Sequence, residues 1–162
     1  MANKDFPRGL SYYSGCSRLR EYDVDSANTP AIFAGDAVKM EADGNVAAAA
    51  AGDAILGVSN DYLAVSTAGK VLVYDHPDTV FTIQGDGTDA EANIGVNCDI
   101  LATAGDTTTL RSKFELDTSE ITAATAQLRI LDRVRTPDNA WGANTLMQVL
   151  INEHFYKTEV GI

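Results

Sequence analysis

Two short stretches hold the residue types from which a hydrolytic or metal centre is made. His76 stands in "DHPD", directly after Asp75 and close before Asp78, a setting in which a carboxylate can orient an imidazole as a general base. Such a base needs a nucleophile held in a strained turn within reach, and no G-x-S-x-G occurs in the chain. His154 follows Glu153 near the end and has no such partner either. Both histidines therefore read as structural or solvated. In "GDGTDAE", Asp86, Asp89 and Glu91 crowd one loop. A calcium loop requires ligands at alternate positions, a central glycine and a closing glutamate at a set gap, which this spacing does not supply. The stretch reads as a solvated acidic turn.

No glycine loop with its lysine is present to cradle a phosphate, and no dinucleotide fingerprint opens a helix. Cys16 and Cys98 are the only cysteines and lie far apart, outside any metal-ligand spacing. They read as ordinary thiols of a reducing compartment. Arg129, Arg133 and Arg135 lie close together along one segment. In an acidic chain such a cluster meets carboxylates on a neighbouring subunit or decorates the surface. No catalytic, cofactor-binding or metal-ligating residue is assigned, and no enzyme activity or cofactor is expected. The chemistry that remains is adhesion.

Adhesive residue types gather at the amino end. Residues 1–30 show little periodicity, carry aromatics at Phe6, Tyr12, Tyr13 and Tyr22, and are made basic by Lys4, Arg8, Arg18 and Arg20. This composition describes an extended N-terminal arm that orders on a neighbour. It equally describes a frayed terminus followed by an edge strand near Leu19–Val24. Aromatic and arginine side chains dominate protein interfaces, so the contact candidates are Phe6, Tyr12, Tyr13, Arg18, Arg20 and Tyr22. Trp141, in the turn-rich loop "TPDNAWGAN", joins them as either a contact or a core residue, whereas Phe155 is expected in the core.

The elements that must position these side chains are β from Pro30 onward, so residues 31–162 read as a single β domain. An Asp43-Gly44 turn would pair Met40 with Ala47 and Val38 with Ala49, because the tight hairpin turn needs the positive φ that glycine adopts freely. Val38 and Met40 would then share a face with Ala47 and Ala49. The alanine run Ala47–Ala51 is too short to nucleate a helix and suits a strand that another layer approaches closely. Further strands are expected at Lys70–Tyr74, Val80–Gln84 and Val96–Leu101. Leu110, Phe114 and Leu116 are expected as inward anchors. "SEITAATAQLRILDRV" fits both a helix face and a strand; a strand from Gln127 to Arg135 is the favoured reading. The last strand, "TLMQVLINEHFY", places Met147, Val149 and Ile151 on one face. Many short strands with frequent turns imply an all-β, antiparallel sandwich or barrel-like domain.

The totals agree. The 162 residues suffice for one compact domain, and 45% of them are hydrophobic, so a real core can form. No stretch is long enough to cross a bilayer, and "MANKDFPRGL" lacks an apolar signal core. A formal charge of −11 repels phosphate backbones and anionic lipid, so neither nucleic acid nor membrane is an expected partner.

Four phrases together resemble the capsid decoration, or cement, proteins of tailed bacteriophages. They are "IFAGDAVKMEADGNVAAAAAGDAILGVSNDYL", "GKVLVYDHPDTVFTIQGDG", "IGVNCDIL" and "TAQLRILDRVRTPDNAWGANTLMQVLINEH". The resemblance runs approximately from Ala31 to His154. It implies a β-rich structural protein made in the host cytoplasm that joins the outside of the virion head after the shell expands. It implies a protein, commonly a homotrimer though dimers and monomers also occur among similar proteins, that clamps neighbouring copies of the major capsid protein, and it brings no catalytic residues with it. A different class of function also fits a β sandwich: a virion-displayed carbohydrate or host-surface binding module, with Trp141 stacking on a sugar beside Asp138 and Asn139.

Overall fold

A computed structural model describes residues 3–122 and 124–157. The strands are Ser11–Ser14 (β1), Leu19–Val24 (β2), Ala37–Met40 (β3), Val46–Ala48 (β4), Gly57–Ser59 (β5), Gly69–Tyr74 (β6), Val80–Gln84 (β7), Asn97–Cys98 (β8), Ile100–Leu101 (β9), Glu115–Leu116 (β10), Leu128–Arg133 (β11) and Leu146–Ile151 (β12). Among the described residues the only helical pieces are short 3-10 turns, at Glu91–Asn93, Thr118–Glu120 and Phe155–Lys157. The protein is all-β.

Two five-stranded antiparallel sheets pack together, with orders β1-β7-β12-β11-β8 and β2-β6-β5-β3-β4, and β9 and β10 form a small separate ribbon. The first sheet is built by strict alternation. Phe81 and Ile83 of β7, Met147, Val149 and Ile151 of β12, and Leu128 and Ile130 of β11 all point into one buried cluster. That cluster also takes in Ala37, Val58 and, in part, Tyr74 from the second sheet, so it is the layer between the sheets. On its other face the second sheet buries Val38, Val46, Ala48, Val71 and Val73 with Val24, Ile32 and Leu56. Its outer strands β2 and β4 come close to one another, so this sheet curls around a second apolar core.

Gln127 ties the layers together. Its side chain is fully buried, with Nε2 donating to the carbonyl oxygens of Ala50 (2.8 Å) and Asp53 (2.7 Å) and Oε1 accepting from the Ile100 N–H at 3.1 Å. One carboxamide thus joins two carbonyls of the β4–β5 connection to an N–H of β9.

The structure corrects three expectations. The Asp43-Gly44 hairpin is real, but Val38 pairs with Ala48 and Met40 with Val46. The loop spans residues 41–45: Gly44 N–H donates to the Glu41 carbonyl at 3.0 Å, and Glu41 N–H to the Asn45 carbonyl at 2.8 Å. Gly44, at φ +87°, is the bulge residue that ends a three-residue turn. The shift moves Val46 and Ala48, not Ala47 and Ala49, onto the face of Val38. Phe114 and Leu116 are buried as expected, but Leu110 is 41% exposed. It sits at φ +59° on a turn in which Asp106 Oδ1 accepts from the Thr108 N–H at 2.8 Å, and the turn throws its side chain outward.

The third concerns the arm, one of the two readings that residues 1–30 equally support, of which residues 1–2 lie outside the described residues. From Asn3 onward the segment lies along the body and contributes β1 to one sheet and β2 to the other. The edge strand expected near Leu19–Val24 is present at those residues. The expected strands at residues 70–74, 80–84 and 127–135 appear within one or two residues of their bounds, and that at 96–101 is split by Asp99 into β8 and β9.

Candidate interaction surface

The amino-terminal strap is fixed by side chains far away in sequence. Asn3 Nδ2 donates to the carbonyl oxygens of Ala140 and Ala143 at 2.8 Å each, and its Oδ1 accepts from the Ala140 N–H at 3.0 Å. Phe6 N–H donates to Gln84 Oε1 at 2.9 Å, and Gln84 Nε2 donates to the Lys4 carbonyl at 2.7 Å. At Gly9, φ is +69° and a Cβ would stand 2.3 Å from Ser112 Oγ and 2.5 Å from the Gly35 oxygen. Only glycine passes there. Leu10 then donates its N–H to the Gly35 carbonyl at 2.8 Å and buries its side chain between the sheets.

With the backbone held, the remaining side chains face outward. The Phe6 ring is 50% exposed and carries two cations, Arg8 with Cζ 4.2 Å from the centroid and Lys4 with Nζ at 5.3 Å. Tyr12 stacks on Tyr74 with centroids 5.4 Å apart and stays partly exposed. Tyr13, where the β1–β7 register shifts, is 46% exposed. A hollow of about 440 Å³ lies beside Phe6, lined also by Lys4, Arg8, Thr82, Gln84 and Leu146. A second, of about 220 Å³, shares Arg8 and Ser11 with the first and is walled by Tyr12, Tyr74, Asn60 and Arg111.

The other contact candidates are used within the chain. Asp75 is fully buried and gathers Arg18 (Nε to Oδ1, 2.7 Å), Tyr22 (hydroxyl to Oδ2, 2.6 Å) and Arg20 (Nη1 to Oδ2, 3.4 Å). Tyr22 also meets the Tyr156 hydroxyl at 2.8 Å. Burial, reinforced by the bond to Asp75, holds the Tyr22 phenol well above its ordinary pKa, so it stays a neutral donor. This cluster joins β2 to the Phe155–Lys157 turn. Trp141 is half-buried against the inter-sheet core. Its neighbour Asn139 is buried, with Nδ2 donating to the carbonyls of Val134 (2.8 Å) and Leu146 (2.7 Å). Phe155 packs against the second core.

Most residues with reactive potential are likewise engaged within the chain. His154 is fully buried, its Nδ1 accepts from the Tyr156 N–H at 3.1 Å, and burial pushes its pKa down to about 4. His76 Nδ1 accepts from the Asp78 N–H at 3.2 Å. Asp86 Oδ1 accepts from the N–H (2.9 Å) and hydroxyl (2.7 Å) of Thr118. Among the described residues no group of three or more His, Cys, Asp or Glu is placed to hold a metal ion. Cys98 is buried, which raises its thiol pKa, and Cys16 is exposed and free. Of the arginine trio, Arg135 pairs with Asp132 at 2.7 Å, Arg129 donates to Asn97 Oδ1 at 2.9 Å, and Arg133 donates to the Asn139 carbonyl.

Three residues of the surface were not singled out from sequence: Gln84, Tyr74 and Arg111. Each belongs to the second hollow or pins the strap only through distant pairing, and the nearest local signal was the Asp106–Thr109 turn that places Arg111 after the exposed Leu110. Comparison with protein-family models, curated proteins and solved structures finds no significant match to the chain.

Proposed function

We propose that the chain is a structural virion protein that binds the outer surface of the expanded capsid of a tailed bacteriophage and clamps neighbouring copies of the major capsid protein. The observation that carries this reading is the strap. Phe6, Tyr12 and Tyr13, three of the aromatic contact candidates, stand exposed on a backbone bonded to the body at Asn3, Phe6 and Leu10 and paired along β1. Aromatic anchors held in advance lose little freedom on docking. Clamping a shell asks for many such modest contacts, summed by copy number, and a homotrimer would multiply them further. A standard interface buries about 1,600 Å² in total, within reach of a domain of this size. The charge of −11 suits the exterior of a head filled with a polyanion.

The carbohydrate-binding reading draws less support, because the amide of Asn139 is committed to backbone carbonyls and the Trp141 ring packs inward. The test is co-sedimentation of purified protein with expanded, undecorated heads. Saturable binding at a fixed number of copies per head is expected; protein that stays in the supernatant at every concentration contradicts the proposal.

A further inference from the structure

Six of the twelve cations form ion pairs: Arg18, Arg20, Lys39, Lys70, Arg135 and Lys157. Arg129 and Arg133 donate to Asn97 and to the Asn139 carbonyl, and Lys113 lies within electrostatic range of Asp106, adding to the Thr108 N–H bond that chiefly lowers that acid's pKa. The remaining three, Lys4, Arg8 and Arg111, make no ion pair among the described residues, although the chain carries 23 carboxylates. All three line the two hollows that meet at Arg8. No carboxylate lines the smaller hollow, and Asp138 is the only one lining the larger. In an acidic protein, the smaller hollow is thus lined by two guanidinium groups and no carboxylate.

We infer that this groove seats a carboxylate-bearing segment of the partner protein, with Arg8 and Arg111 as the anion-binding residues. The inference deepens the capsid reading and rests on it for the partner's identity, but not for the chemistry. A guanidinium presents a planar fork that matches a carboxylate with two parallel N–H donors. The Phe6 face, 4.2 Å from Arg8 Cζ, holds that guanidinium against the strap by cation–π attraction. The stacked Tyr12 and Tyr74 rings give an apolar wall for the methylenes or rings beside the acid. Charge complementarity selects the occupant. A nucleic acid carries its phosphates along a length over which the field of a −11 chain repels it. A short acidic segment seated in the groove lies within about one screening length, roughly 8–10 Å, of the local cations, and these outweigh distant charges.

The experiment is fluorescence anisotropy with a labelled peptide, acetyl-Glu-Phe-Glu-Ala-Glu-Phe-amide, and its counterpart with glutamine for every glutamate. Wild-type protein is compared with the double variant Arg8→Gln, Arg111→Gln. Both side chains are exposed, so the variant is expected to melt with the wild type. The acidic peptide should bind wild type at least about tenfold more tightly than the glutamine peptide, lose that advantage in the double variant, and weaken as salt is raised. Equal binding of the two peptides, or full binding by the double variant, overturns the inference. So does a fall in wild-type oligomer size on making the double variant, since the groove would then be filled by a second copy. On expanded heads, wild-type and double-variant binding of equal strength defeats the groove while sparing the capsid reading. Wild type that does not bind heads defeats the capsid reading, and the peptide measurement still judges the groove.

Discussion

Asp36 shows how much a single buried group can be made to report. Its side chain is buried beside the strap, and burial raises its pKa to about 6, opposed in part by the Phe33 N–H that donates to Oδ2 at 2.9 Å. An acid whose folded pKa lies above its unfolded value binds more protons when folded, so its ionisation costs stability as pH rises. The cost is absent below pH 4 and complete above about pH 6. Asp36→Asn keeps an acceptor for Phe33 and removes the ionisation. The variant is expected to match wild type near pH 4 and to exceed it by about 2–3 kcal/mol at pH 7, read from urea unfolding at each pH. A difference that is constant with pH would contradict this origin. His154, held neutral down to about pH 4, acts with the opposite sign: it binds protons in the unfolded chain first, so its contribution is lost as pH falls from 6.5 toward 4. Wild-type stability should therefore vary little across that window, while the Asp36→Asn variant weakens on acidification.

Among the elements, the strap and the Gln127 junction make separable claims. Replacing Gln127 by leucine leaves the buried Ile100 N–H without its acceptor, takes a donor from the half-buried Asp53 carbonyl, and leaves the Ala50 carbonyl with the Asp53 N–H alone. A loss of roughly 3 kcal/mol or more is expected in urea unfolding; a loss under 1 kcal/mol would mean that these groups find water or other partners. Gly9→Ala should act locally. The added Cβ meets Ser112 and the Gly35 oxygen, so amide exchange at Leu10–Ser14 should rise while that of β12 stays slow. Uniform loosening of both would mean that the strap is part of the global fold. What sequence could and could not foretell divides along the same line. β6, β7, β11 and β12 were legible because each is a short apolar, β-branched-rich run bounded by turn residues, which is a local pattern. The hairpin register escaped because Asp-Gly serves both a two-residue turn and a bulged longer one, and the choice lies in which face of β4 meets the core. The strap read as an arm because its hydrogen bonds run to Gln84, Ala140 and Gly35, and nothing within residues 3–10 announces partners so remote. The same holds for Arg18, Arg20 and Tyr22, whose composition suggested contacts while a distant Asp75 claims them.

For the whole molecule, the two cores, the strap and the Asp75 cluster make an acidic body with a cationic and aromatic flank. On the capsid reading proposed above, such a body would gain its effect by being present in many copies, each contributing a modest interface whose ionic part weakens with salt. The account stands most directly on the temperature at which filled, expanded heads release their DNA. Addition of the protein is expected to raise that temperature, and heads treated with an equal amount of an unrelated acidic protein are expected not to change. Release at the same temperature with and without the protein, at concentrations that saturate the head, would contradict the account.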